Sequence, residues 1–247
     1  MTQPVSFPAR QQAIVAAIGQ AAQRTGVDFS YLLANARAES GLNPAARATT
    51  SSATGLFQFT DATWLGVVAR HGAAHGLGWA ADALKSGAGP AVKQSILALR
   101  QNAEAAAAMA GEFTRDNAAK LEGALGRAAG ASDLYLAAFF GAGGAVKFLK
   151  SMAGNPGMAA ASLLPAAAAA NRSTFFAKDG TPHSLAEVHD IVAGRIHRHG
   201  AGDAQPPGNI LPPAGKGLPP ASQTIAADPA LAAARARMAY LVLAAMQ

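Results

Sequence analysis

The chain has 247 residues, a formal charge of +6, no cysteine, and only 14% charged residues against 51% hydrophobic ones. That length supports a full hydrophobic core, and the apolar content excludes a wholly disordered chain. The absence of cysteine excludes a disulfide framework, a thiolate zinc site and a cysteine nucleophile, and it leaves the redox compartment open.

Alanine makes up about a quarter of the sequence, which favours helix over sheet when β-branched and aromatic residues are few. A first helix is expected from about Pro8 to Arg24, with Ile14, Ala17, Ile18 and Ala21 at helical spacing and Gly26 ending it. A second starts at Asp28 or Ser30, carries Tyr31, Leu32, Leu33 and Ala36, and ends at Glu39 with Gly41 as its stop. From Gly41 to Thr60 the composition is that of a loop. Asp61 is expected to cap a third helix containing Trp64, Leu65, Val67 and Val68, which ends at His71-Gly72.

A glycine-rich link bearing Trp79 then leads to one long alanine-rich helix from about Pro90 to Asp116. Shorter helices are expected at Asp133–Phe140, Ala145–Met152 and Leu185–His199, with Gly141 to Gly144 as a tight turn. After His199 the three Pro-Pro pairs read as an extended linker, and Asp228-Pro229 opens a terminal apolar helix. No strand pattern of useful length occurs. The expected division is a main helical domain at 1–152, a helical extension packed on it at 153–200, a linker at 201–227 and a C-terminal helix at 228–247. That last helix is a candidate surface for a protein partner, such as a secretion or flagellar assembly.

The basic balance raises the question of nucleic acid. Lys and Arg are scattered, never three in a row and not interleaved with aromatics, so no nucleic-acid partner is expected. No apolar run reaches the length of a transmembrane helix. The N-terminal residues read as an amphipathic helix and not as a signal peptide, which leaves the export route open. The histidines between His183 and His199 have no metal-ligand spacing, so no metal or organic cofactor is expected.

Chemistry concentrates in one stretch. Glu39 closes an apolar helix and is followed by Ser40, Asn43, Pro44, Thr49, Ser51, Ser52, Gly55, Leu56, Phe57 and Gln58. Desolvation and the negative end of the helix dipole both raise the pKa of a carboxyl so placed. A carboxylic acid that keeps its proton near neutral pH can protonate a glycosidic oxygen. The loop after it offers hydroxyls, an amide, and a glycine that lets backbone approach a ligand, groups suited to a sugar. The same pattern also fits a solvated glutamate beside a surface loop.

Glu39-Ser40-x-x-Asn43-Pro44 followed by Gly55-Leu56-x-Gln58 resembles the signature of the soluble lytic transglycosylases, relatives of goose-type lysozyme. The resemblance covers about residues 10–150. It implies an all-α lysozyme-like fold, Glu39 as sole catalytic acid and base, and Gly55, Leu56, Phe57 and Gln58 lining a glycan cleft, with Phe57 where Met is usual. Thr49 stands where the family commonly has a serine contacting the carboxylate or an N-acetyl group. The loop is one residue longer than usual, so Ser51 and Ser52 are alternatives.

A second family motif, A-x-Y-N-A-G, corresponds to Ala137 through Gly144, with Phe139 in place of the Tyr and Phe140 in place of the Asn. Tyr135, one helical turn earlier, is a candidate to supply the missing hydroxyl from the same face. Phe139 is kept as a substrate contact, and Trp79 is the better of the two tryptophans for sugar stacking. The implied partner is peptidoglycan, cleaved at the bacterial wall with formation of 1,6-anhydromuramoyl ends. A hydrolysing muramidase requires a second carboxylate, for which Asp133 or Glu112 are candidates. A non-catalytic peptidoglycan-binding scaffold is the reading from another class.

Overall fold

A computed structural model describes residues 9–49 and 51–200. The linker and terminal helix expected at 201–247 lie outside the described residues, as does Pro8. Helix α1 (Ala9–Thr25) buries Ile14, Ala17, Ile18 and Ala21, the stripe that the spacing predicts. Helix α2 (Phe29–Ser40) starts at Asp28, whose carboxylate accepts from the Tyr31 N–H at 2.9 Å. It stops at Gly41, which takes the left-handed conformation at φ 59° and returns its N–H to the Arg37 carbonyl at 3.0 Å.

Helix α3 (Asp61–His71) is capped by Thr60 rather than Asp61. The threonine hydroxyl accepts from the Thr63 N–H, while Asp61, one residue later, pairs with Arg100 at 2.8 Å. Two adjacent residues with capping side chains made the expected position off by one. The glycine-rich link is also more ordered than expected. A 3₁₀ turn at Gly72–His75 leads into α4 (Gly78–Lys85), with Gly76 at φ 76° between them. Trp79 belongs to α4 and packs half-buried on the core.

The single long helix from Pro90 to Asp116 is replaced by two. Pro90 opens α5 (Pro90–Ala98), a 3₁₀ turn follows at Leu99–Gln101, and α6 runs over Ala103–Leu125. Asn102 makes the break by accepting from the Ala105 N–H at 2.9 Å. The two helices expected around Gly141 form one stretch, α7 (Ala131–Gly154), interrupted where Gly141 adopts φ 73°, ψ 155°. Short helices α8 (Ala160–Leu163), α9 (Pro165–Ala170) and α10 (Arg172–Phe175) were not anticipated. Helix α11 (Leu185–His197) opens with a reciprocal cap between Ser184 and Glu187.

The described residues fall within one compact unit. Its centre is α6, packed against α1, α7 and α3, and α11 lies on α7 and α2. Trp64, Phe148, Phe175, Leu32 and Met109 are among its fully buried side chains. Trp64 is core, as expected, and its indole N–H donates to the Ile96 carbonyl at 2.7 Å. Among the described residues there is no strand beyond isolated bridges, and no helix is long and apolar enough to cross a membrane.

Candidate active site

Three helices bring the site together. Glu39 is the penultimate residue of α2, Tyr135 lies in the first half of α7, and Arg195 in the last turn of α11. The Tyr135 hydroxyl donates to Glu39 Oε1 at 3.0 Å. Tyr135, proposed from its helical position alone, thus supplies the phenol that Phe139 lacks. Burial pushes the Glu39 carboxyl above the ordinary value of 4.5, and the Tyr135 hydrogen bond and the Arg195 charge act in the opposite sense. Desolvation is therefore the leading cause, as the apolar helix face implies.

The phenols respond to the same surroundings. Burial, then the Glu39 charge, raises the Tyr135 pKa far above the ordinary phenol range. Tyr31 on α2 is raised likewise, by burial and then by Tyr135 and Glu39. Both phenols stay neutral at any physiological pH. Tyr135 is thus a permanent hydroxyl donor to the carboxyl.

The loop from Gly41 to Thr60 is built against this helix end. Ser40 Oγ donates to the Leu56 carbonyl at 2.8 Å and accepts from the Asn43 N–H at 3.2 Å. Arg100, buried behind the loop, donates to the carbonyls of Ser52 at 2.8 Å and Phe59 at 2.9 Å. Bridges join Arg47 to Thr54 and Thr54 to Phe59. Gln58 sits in the left-handed region at φ 47°, and its amide nitrogen donates to the Gly55 carbonyl at 2.8 Å and the Ala46 carbonyl at 3.3 Å. That arrangement ties the Gln58 side chain to the loop through its amide nitrogen.

Several expected contacts are placed differently. Leu56 and Phe57 are buried in the core, so they anchor the loop instead of lining a cleft. Gly55, at φ 84°, is required by packing: a Cβ there would lie 2.1 Å from the Arg100 carbonyl oxygen. Thr49 is exposed. Ser51 Oγ accepts from the Ala53 N–H at 3.3 Å, and Ser52 Oγ from the Asp61 N–H at 3.1 Å. Among the described residues none of these three hydroxyls bonds to Glu39. Phe139 is half-buried beneath the Arg195 guanidinium, 5.1 Å from the ring centroid.

Both candidate second carboxylates are engaged elsewhere. Asp133 caps the start of α7 through the Gly130 N–H at 2.9 Å and pairs with Arg127. Glu112 is buried between His75 at 2.8 Å and Arg115 at 3.1 Å. Sequence reasoning missed Ser40, Arg100 and Arg195 as site-building residues. Ser40 lay inside the recognised motif, whereas Arg100 and Arg195 meet the site only through the tertiary fold.

Fold and site together define an all-α, lysozyme-like domain with a half-buried, phenol-bonded carboxyl at a helix end. Residues 16–76 match the family model of the transglycosylase SLT domain, the family that the Glu39 motif resembles. The matched segment holds Glu39 and the whole loop to Thr60, while Tyr135 and Arg195 lie beyond it.

Proposed function

We propose that the chain cleaves peptidoglycan glycan strands as a lytic transglycosylase, with Glu39 acting first as acid and then as base. The observation that carries this reading is a half-buried carboxyl at a helix end receiving a phenol hydrogen bond at 3.0 Å, with Asp133 and Glu112 held in other pairs. In the neutral acid, Oε1 accepts from Tyr135 and Oε2 holds the proton. That proton passes to the β-1,4 oxygen between N-acetylmuramic acid and N-acetylglucosamine, and the C1–O bond breaks. The Glu39 carboxylate then takes the proton of the muramoyl C6 hydroxyl as its oxygen bonds to C1. The product is a 1,6-anhydromuramoyl end, no water is consumed, and Glu39 regains its proton.

A hydrolysing muramidase is less well supported, because Asp133 and Glu112 each serve a structural ion pair. The scaffold reading rests on the missing motif tyrosine and asparagine; the Tyr135 hydrogen bond to Glu39 speaks against it at the first position, while Phe140 stands at the second. Thr49 and Gln58 Oε1 are proposed to meet N-acetyl and hydroxyl groups along the strand. The site of action is the bacterial wall. Incubation of purified sacculi with the parent protein and with Glu39→Gln tests the reading. Soluble muropeptide release is expected to fall by about 100-fold or more in the variant, the scale of a lost general acid. Equal release by both proteins would overturn the assignment of Glu39.

A further inference from the structure

Among the described residues, two that are not glycine take the left-handed backbone, Leu42 at φ 64° and Gln58 at φ 47°. Leu42 follows the Gly41 stop of α2 and returns its N–H to the Ala36 carbonyl at 3.4 Å, so a helix end accounts for it. Gln58 stands at no helix end. A residue with a side chain keeps that conformation only where its surroundings hold it there.

Those surroundings converge on Arg100. It lies beyond the matched segment, in the 3₁₀ turn Leu99–Gln101, and its side chain is buried. Its Nε donates to the Leu97 carbonyl at 3.0 Å, which fixes the guanidinium against its own turn. Its Nη1 faces three oxygens of one loop: the Ser52 carbonyl at 2.8 Å, the Phe59 carbonyl at 2.9 Å and Asp61 Oδ1 at 2.8 Å. Those three residues bracket Gln58. The Asp61 N–H donates to Ser52 Oγ at 3.1 Å and the Thr54 N–H to the Phe59 carbonyl at 3.1 Å, so the segment 52–61 closes around the guanidinium. From below, the Arg100 carbonyl fills the space that a Gly55 side chain would need.

A buried cation is costly unless it is paired and hydrogen-bonded. Arg100 meets both conditions only with the loop in this shape, which makes the loop and the guanidinium mutually dependent. We propose that Arg100 is a positioning residue for the glycan strand: by holding the Ser52 and Phe59 carbonyls it keeps Gln58 in its left-handed conformation and the loop in the form that binds the strand. This rests on the reading of the loop after Glu39 as strand-binding. No hydrogen bond joins Arg100 to Glu39 or Tyr135 among the described residues, so its part lies in binding and not in proton transfer.

Arg100→Met keeps the apolar stem and removes the donors and the charge, whereas Arg100→Lys keeps the charge without the planar fork. Gly76→Ala controls for stability alone, because Gly76 has φ 76° and no atom within 4 Å of the added methyl. The Gln58 side-chain amide signals are recorded in protein labelled with 15N-glutamine, without strand. KM and kcat are measured beside them on soluble, uncross-linked glycan strands. In Arg100→Met the Gln58 signals are expected to move to the position of free glutamine. KM is expected to rise about tenfold, the scale of a lost hydrogen bond to the strand, with kcat changed by less than about twofold. Arg100→Lys is expected to recover most of both, and Gly76→Ala to alter neither. Unmoved Gln58 signals in Arg100→Met overturn the proposal, as does a fall in kcat at unchanged KM.

Should Arg100→Met fail to fold, Asp61→Asn removes only the charged partner of the guanidinium, on an exposed first turn of α3. It is expected to move the Gln58 signals in the same direction by less, and unmoved signals there are again contrary. Because the amide signals need no substrate, they decide whether Arg100 holds Gln58 even if the parent protein cleaves nothing, which would refute the functional reading alone.

Discussion

Replacing Gly55 by alanine places a methyl carbon 2.1 Å from the Arg100 carbonyl oxygen and 2.8 Å from its carbon, on a residue whose φ is 84°. Two costs add. The left-handed conformation costs an alanine about 1–2 kcal/mol. The contact requires the loop or the Arg100 backbone to retreat by roughly an ångström, an overpacking worth about 1–3 kcal/mol. The sum, about 2–5 kcal/mol, is a large part of the stability of an ordinary domain. It corresponds to a fall in Tm of about 4–20 °C for a domain of this size.

Gly76→Ala is the matched control, because Gly76 has φ 76° but no atom within 4 Å of the added methyl. It is expected to show the first cost alone. Urea unfolding followed by circular dichroism gives both values. The loop also carries Gln58, and a displacement of about an ångström there is expected to reduce glycan cleavage by about 100-fold. Equal stability losses in Gly55→Ala and Gly76→Ala would refute the packing argument. A Gly55→Ala protein with parental midpoint would refute the whole of it.

Glu39 also makes a prediction about stability against pH. Its folded pKa lies above the unfolded value of 4.5, so its contribution is fully present below that pH and is lost as the pH rises through the folded value. Glu39→Gln is therefore expected to match the parent at pH 4 and to exceed it by about 0.5–2 kcal/mol at pH 7.5, the range of stabilising changes at strained functional sites. Unfolding curves at the two pH values check this, and a stabilisation confined to acid would contradict it. Ser40→Ala leaves the Leu56 carbonyl without its side-chain donor, with an expected loss of about 1–2 kcal/mol. Cleavage is expected to fall while the Glu39 titration stays in place, since Ser40 holds the loop and not the carboxyl.

Local features of the site were legible in the sequence, and its tertiary contacts were not. Glu39 and its loop are contiguous, so a motif spanning a few dozen residues captures them. Tyr135 was reachable because helical spacing relates it to Phe139 one turn later. Arg195 and Arg100 carry no comparable local signal, since each reaches the site only after distant helices have packed. Leu56 and Phe57 resemble cleft residues in the motif, but an apolar pair next to Gly55 is equally suited to anchoring a loop. In the fold, alanine content predicted helix between Pro90 and Asp116 without marking the break, which depends on one asparagine. Around Trp79 the glycines read as a link. Gly76 and Gly78 instead sit at helix ends, where a left-handed turn and a free first residue suit them.

The central claim is that one carboxyl, without a second, closes the muramoyl C6 hydroxyl onto C1. Mass spectrometry of muropeptides released from purified sacculi tests it most directly, with Glu39→Gln as the inactive control. The mechanism predicts 1,6-anhydromuramoyl ends, each lighter by one water than a reducing end, from the earliest time points. Reducing ends in their place would mean that water, activated by another group, attacks C1, and would contradict the single-carboxyl account.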